Sequence, residues 1–175
     1  MSASSALRAA AVVFTASLVQ VTIVSSLVVG GGAPDVLLIV VVSLGLLRGS
    51  LPGAVAGFAG GVVVDLLTLD TLGVTSLVLT LAGFWAGRYG ETTARGRRLA
   101  PLAAVAVITV LAAVFAFLLH YLLGEDVVAQ HALLTALVPA VILNVALALP
   151  VHALVRASVH GPSAAERSPE VEVVV

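Results

Sequence analysis

Six apolar runs, separated by short polar turns, restrict this chain to a narrow group of folds. The runs cover about residues 9–29, 36–47, 51–69, 72–86, 99–123 and 132–155. A transmembrane helix needs about 20 mainly apolar residues, and most of the runs reach or approach that length. Hydrophobic residues make up 61% of the chain and charged residues 10%, whereas soluble domains are about 25% charged. The sequence therefore predicts an all-α, polytopic membrane protein with about six transmembrane helices.

The second run is the exception in length. As a helix, residues 36–47 would rise only about 18 Å, which is less than the roughly 30 Å hydrocarbon core. Asp35 and Arg48 bound this run. Two interpretations stay open: either these two charges reach toward opposite interfaces, or the segment is a broken or partly buried span.

The basic residues are all arginines, and their positions alternate along the chain. They lie at the N-terminus, in every second turn and in the C-terminal tail, as Arg8, Arg48, Arg88, Arg95, Arg97, Arg98, Arg156 and Arg167. The intervening turns carry Asp35, Asp70, Glu125 and Asp126. Because cytoplasmic loops hold the excess of Lys and Arg, we expect a plasma-membrane protein with both termini in the cytoplasm. Residues 1–156 would form one membrane domain and residues 157–175 a disordered cytoplasmic tail.

Four of these arginines form the main cytoplasmic loop, Arg88, Arg95, Arg97 and Arg98. They could bind anionic lipid headgroups, since each base near the surface contributes about 1 kcal/mol. Enforcing the topology would be enough to explain them.

The third run carries a row of glycines at Gly53, Gly57 and Gly61. Residues four apart lie on one face of a helix, and glycines there let another backbone approach closely. Gly83 and Gly87 repeat the spacing in the fourth run. We expect such rows mostly to pack helices within one chain, with contact to another protein as the alternative.

Three polar residues lie inside apolar runs. Asp65 extends the glycine row and would lie about 20 Å across the bilayer from Pro52. It is either part of an outward-facing acidic patch that binds a ligand or partner, or an interfacial residue hydrated from outside. Gln20 and Asn144 lie near mid-depth, where we favour hydrogen bonds between helices over a polar substrate pocket.

The sequence contains no recognisable catalytic or metal-binding motif. It contains no phosphate-binding loop, no G-x-S-x-G motif and no cysteine. His120 and His131 flank Glu125 and Asp126, but no H-x-x-x-H spacing accompanies them. With a net charge of −1, nothing suggests a nucleic-acid partner. We therefore predict a protein that is not an enzyme and has no metal or other cofactor.

The middle of the chain, about residues 33–90, carries several short motifs in a fixed order and spacing. These are Ala-Pro-Asp at 33–35, Leu-Leu-Arg-Gly at 46–49, the glycine row ending in Asp-Leu-Leu at 65–67, and Gly-Phe-Trp-Ala-Gly-Arg at 83–88. In this order and spacing they resemble the MreD family of rod shape-determining membrane proteins. The outer runs match that family only as a hydrophobic profile.

The resemblance implies a non-catalytic scaffold of the bacterial cell-elongation complex. Its expected partner is a single-span MreC-like protein, and direct or indirect contacts would link it to the MreB cytoskeleton, a RodA-type polymerase and a penicillin-binding protein. Asp35, Arg48 and Asp65 match the family's charged positions and would have structural or partner-contact roles. Together with Gly53, Gly57, Gly61, Gly83 and Gly87 they form the predicted partner or helix-packing interface.

An alternative function follows from a second likeness. The family is similar in fold to the substrate-binding subunits of energy-coupling-factor vitamin transporters. Such a subunit would need a polar pocket open to the outside, for which Gln20, Asp65, Trp85 and Asn144 are the available lining residues. A lipid-handling enzyme is a third possibility, but it would need activated groups that the sequence does not display.

Overall fold

The computed structural model describes residues 3–22, 31–69, 71–92, 99–124 and 130–159. These residues form six helices and no extended strand, which confirms the all-α class. In chain order the helices are α1 (Ala3–Thr22), α2 (Val36–Arg48), α3 (Ser50–Thr68), α4 (Val74–Thr92), α5 (Ala100–Leu122) and α6 (Gln130–Val159).

Among the helices of the described residues, four are long and apolar enough to cross a membrane, namely α1, α3, α5 and α6. This confirms a polytopic membrane protein, although about four helices and not six meet this criterion of length and composition. α2 has 13 residues and is too short for the criterion. α4 is long enough, but it continues past the predicted end at Ala86 through Arg88 and Glu91 to Thr92. The polar residues of its last two turns lower its mean hydropathy.

Other helix limits also differ from the predicted ones. α1 begins at Ala3 rather than Ala9, and the predicted continuation through residues 23–29 lies outside the described residues. α6 contains Pro139 and Pro150 within its 30 residues, since neighbouring helices can satisfy backbone groups that proline frees. The predicted tail falls almost entirely at residues 160–175, which are also outside the described part.

The shortest helix occupies the centre of the bundle. Nine consecutive residues of α2, Leu37 through Gly45, are buried, and α2 packs against each of the other five helices. A helix that is apolar on all sides is expected to be enclosed by protein. The length of α2 therefore does not have to match the thickness of the bilayer, because other helices and not lipid surround it.

Successive helices run in opposite directions. Gly53 faces Gly83 and Gly61 faces Ser76 across the α3–α4 contact, which is therefore antiparallel. Likewise, the end of α1 meets the start of α2 through Gln20 and Pro34. Two ends of the bundle result. The arginine end holds Arg8, Arg48, Arg88 and Arg156, and the aspartate end holds Asp35 and Asp65.

Candidate functional site

The predicted glycine row of α3 packs directly on the backbone of α4. A Cβ atom placed on Gly57 would collide with the Leu79 carbonyl group and lie 2.9 Å from Thr80 N. A Cβ on Gly61 would collide with the backbone of Ser76. Since real Cβ atoms essentially never come within 3.0 Å of another heavy atom, these positions have no room for any side chain. The row thus joins two helices of the same chain.

The glycines of α4 and α2 complete a three-helix contact. A Cβ on Gly45 would lie 2.6 Å from Gly83 O and 3.0 Å from Gly87 N. Gly87 in turn packs against Ser50, and Gly53 packs against both Gly83 and Gly45. α2, α3 and α4 therefore meet backbone to backbone. All five glycines of the predicted interface are buried in this contact, and their role toward a partner stays a prediction.

Asp65 is buried beside the turn that joins α3 to α4. Its side chain is 1% exposed. Oδ2 accepts hydrogen bonds from Gly73 N at 2.8 Å, from Ser76 N at 3.3 Å and from Ser76 Oγ at 3.0 Å. Gly73 has φ +99°, a conformation that glycine adopts without steric cost. The returning chain covers Asp65, so the structure does not show it as an exposed, hydrated residue. A role of Asp65 toward a ligand or partner stays a prediction.

Asp35, Gln20 and Asn144 connect the helices at the aspartate end. Asp35 Oδ1 accepts from Leu38 N at 2.8 Å and so caps α2. Asp35 N donates to Asn144 Oδ1 at 2.7 Å, and Asn144 Nδ2 donates to Thr109 Oγ1 at 3.1 Å. Gln20 Oε1 accepts from Val36 N at 2.9 Å. The prediction that the two amides hydrogen-bond between helices is confirmed.

A cavity of about 360 Å³ opens among α2, α4, α5 and α6 at this end. Its polar lining residues are Asp35, Thr75, Thr109, His120 and Asn144. Of the four residues predicted to line a ligand pocket, only Asn144 lines this cavity. Gln20 is bonded to the start of α2, Asp65 lies beneath the α3–α4 turn, and Trp85 faces outward at 59% exposure.

The arginine end holds a different arrangement of charges. Glu91 Oε1 accepts from Ser50 N at 2.8 Å and from Ser50 Oγ at 3.1 Å, which caps the start of α3. Arg88 is 3.4 Å from Glu91 Oε2 in an exposed ion pair. Arg48 makes no ion pair with a described residue and lines a groove between α1 and α3. The predicted lipid or topology residues Arg95, Arg97 and Arg98 lie outside the described residues.

A second groove runs between α4 and α5 and is lined by Trp85, an exposed aromatic residue of α4. Two adjoining hollows of about 190 and 280 Å³ share Trp85, Ile108 and Leu111. Phe84 and Trp85 contact each other edge to face, with ring centroids 5.8 Å apart. Ala82, Ala103 and Ala104 also line the hollows. Small and aromatic side chains in one groove provide both close approach and a large apolar contact area.

In the part of the chain that the structure describes, no three His, Cys, Asp or Glu side chains come together as metal ligands. His120 lines the cavity at the aspartate end. The His131 side chain, Glu125 and Asp126, which the sequence places nearby, lie outside that part.

Comparisons with known proteins identify the family. No curated protein and no solved structure matches this chain. The family model described as rod shape-determining protein MreD matches residues 6–158, which reach from the first turns of α1 to the last turn of α6. The match is much longer than the resemblance over residues 33–90, and it includes the outer helices that the sequence motifs left unassigned. The chain therefore belongs to the MreD family of rod shape-determining proteins.

Proposed function

We propose that this protein is a non-catalytic membrane scaffold of the bacterial cell-elongation complex, which binds an MreC-like single-span partner and helps to organise peptidoglycan synthesis. The observation that carries this proposal is the family match over residues 6–158. The proposed location is the bacterial plasma membrane, with the arginine end in the cytoplasm because cytoplasmic loops carry the excess of basic residues. Contacts with the MreB cytoskeleton and with the wall synthases would be direct or run through this partner.

The partner needs a surface that the chain does not use for its own packing. The glycine row is already covered by α4, so we propose the groove between α4 and α5 instead. Trp85 is 59% exposed there, and its ring contacts Phe84 beside the groove. Exposed tryptophans are enriched among the residues that dominate binding energy at interfaces. The alanines of the groove would let the partner's single helix approach closely.

Co-purification from gently solubilised native membranes, with mass spectrometric identification of the bound proteins, tests this proposal. We expect recovery of a single-span protein with an external domain, together with wall synthases. Recovery of paired ATPases and a coupling membrane subunit instead would contradict the scaffold function.

Variants of one exposed aromatic residue in the α4–α5 groove and one outside it locate the contact with the partner. Trp85→Ala should remove most of the bound partner, because it empties the centre of the α4–α5 groove. Phe58→Ala is the matched control, since Phe58 is 57% exposed on α3 and does not line that groove. Equal partner recovery with both variants would place the contact elsewhere.

A second function is favoured by the cavity at the aspartate end. Its volume of about 360 Å³ and its five polar lining residues fall within the range of small-molecule sites. They fit the alternative of a vitamin-binding transporter subunit. Isothermal titration of the purified protein with a panel of water-soluble vitamins tests it. Binding that Asn144→Leu abolishes would support a transporter, and the absence of binding across the panel would remove this alternative.

A further inference from the structure

The groove between α1 and α3 at the arginine end has a volume of about 520 Å³. Of the described residues that line it, Arg48 alone has a polar side chain, and the others are alanine, valine, leucine, phenylalanine and proline. Its rim is open, because Phe14 is 53% exposed, Leu51 is 73% exposed and Val55 is 61% exposed. In a membrane, such an open apolar groove is in contact with lipid unless another molecule fills it.

Arg48 brings a positive charge into this apolar surrounding, and it makes no ion pair with a described residue. Its Nη1 atom is buried and has no hydrogen-bond partner among the described residues. The nearby carboxylate of Glu91 is already engaged by Ser50 and Arg88. A buried donor of a charged group costs free energy when no acceptor satisfies it. Among the described residues none supplies an acceptor to Nη1 at the arginine end of the groove.

The depth of the groove limits what could supply this acceptor. α3 lines it from Leu51 to Val63, which corresponds to about 18 Å of helix. α1 and α3 are in direct contact beside the inner end of the groove, where Ser17 Oγ donates to Gly60 O at 3.3 Å. The groove thus covers about half of the roughly 30 Å hydrocarbon core, which is the depth of one leaflet. A partner's transmembrane helix would need a groove through both leaflets.

From the apolar lining, the Arg48 donor and the depth of the groove, we propose that the α1–α3 groove is a binding site for an anionic phospholipid. Arg48 binds the phosphate, for which the guanidinium has matching geometry and charge. One acyl chain lies along the alanines and valines of α1 and α3. The site differs from the arginine loop at Arg88, Arg95, Arg97 and Arg98, because it holds the headgroup and a chain together. The inference does not depend on the proposed scaffold function.

Lipid binding to the purified full-length protein tests the proposal. Phosphatidylglycerol and phosphatidylcholine with identical acyl chains are titrated separately into protein in neutral detergent, and bound lipid is counted by native mass spectrometry. We expect preferential retention of phosphatidylglycerol. Arg48→Gln should reduce phosphatidylglycerol affinity about tenfold or more, as expected for a lost charge-assisted hydrogen bond. Arg48→Lys should restore part of the preference.

Two controls separate the groove from nonspecific attraction. Arg156→Gln removes the same charge at the same end of the bundle, outside the groove, and should leave retention unchanged. Ala59→Phe fills the groove without altering charge and should reduce binding of both lipids, whereas Ala11→Phe, on the exposed face of α1 outside the groove, should not. Each variant is first shown to elute as the wild type in size-exclusion chromatography.

Three results would overturn the proposal. The first is equal retention of the two lipids by the wild type. The second is an equal effect of Arg48→Gln and Arg156→Gln on phosphatidylglycerol. The third is that Ala59→Phe leaves lipid retention unchanged but releases a single-span protein in co-purification, which would make the groove a protein contact.

Discussion

The two halves of the helix bundle are assembled in different ways. In α2, α3 and α4, glycines bring backbones into direct contact, and Asp65 ties the α3–α4 turn to the start of α4. In α5, all the buried residues lie between Ala100 and Thr109. The second half of α5 instead borders the cavity at the aspartate end through Ala112, Ala116 and His120. One half is closed by backbone packing, and the other leaves space between its helices.

This difference predicts where the protein tolerates change. Where a Cβ would meet backbone atoms, no rotamer change can make room, so even small side chains are excluded. Where alanines and valines line a cavity or groove, larger side chains can enter. We expect the glycine contact to set the stability of the bundle and the open half to vary with little effect on folding.

Gly57→Leu should have the largest effect. Its side chain would enter the space held by the Leu79 carbonyl group, so α3 and α4 would have to separate. We expect a loss above about 3 kcal/mol, at the upper end of overpacking effects, measured as thermal unfolding in mild detergent. Val55→Leu on the same helix is the control, because Val55 is 61% exposed. A Gly57→Leu protein with normal stability would mean that the helices are not in backbone contact.

Asp65→Ala should have the next largest effect. It leaves Gly73 N, Ser76 N and Ser76 Oγ without their shared acceptor, and we expect a loss of about 3 kcal/mol because hydrogen bonds to a charged acceptor are strong. Thr68→Ala, an exposed position on the same helix, is the control.

The Asp65 variant also separates a packing role from a partner role. If Asp65→Ala retained wild-type stability but lost the co-purifying partner, the carboxylate would act in binding and not in the α3–α4 turn.

Asn144→Leu should have a smaller effect on stability, because Asn144 lies in the half of the bundle that leaves space between its helices. It removes the acceptor of Asp35 N and the donor to Thr109 Oγ1. Interhelical hydrogen bonds in membranes contribute about 0.6 kcal/mol on average and at most about 1.7 kcal/mol, so we expect a loss near 1 kcal/mol. A double-mutant cycle with Thr109→Val isolates the side-chain pair. Additive effects of the two substitutions would show that the pair is not coupled.

Sequence periodicity predicted faces of helices but not what covers them. The spacing of Gly53, Gly57 and Gly61 correctly placed three small residues on one side of α3. It could not distinguish α4 from a partner, because both would require the same absence of side chains. Asp65 lies on the same row, yet its burial depends on a turn at Gly73 that returns the chain over it. The position of that turn depends on tertiary structure, so the presence of an aspartate in the sequence does not predict it.

The end of α4 is a second feature that the sequence did not predict. The predicted fourth run ended at Ala86, but α4 continues through Gly87 and Gly90 to Thr92, although glycine lowers helix propensity. In the structure Gly87 packs against Ser50 and Gly90 packs against Leu46, so these glycines extend the close contact instead of ending the helix. Tertiary packing outweighs the propensity. The charge pattern was more informative, because the arginines along the described chain do collect at one end of the bundle.

The smallest predicted effect compares the two members of the exposed ion pair. Arg88→Gln removes only a 3.4 Å surface contact, and solvent-exposed pairs contribute little, so its melting temperature should equal that of the wild type. Glu91→Ala should lower the melting temperature measurably, because it also removes the acceptor of Ser50 N and Oγ. Equal melting temperatures for the two variants would show that the cap on α3 adds nothing beyond the ion pair. The glycine contact would then stabilise the start of α3 without help from Glu91.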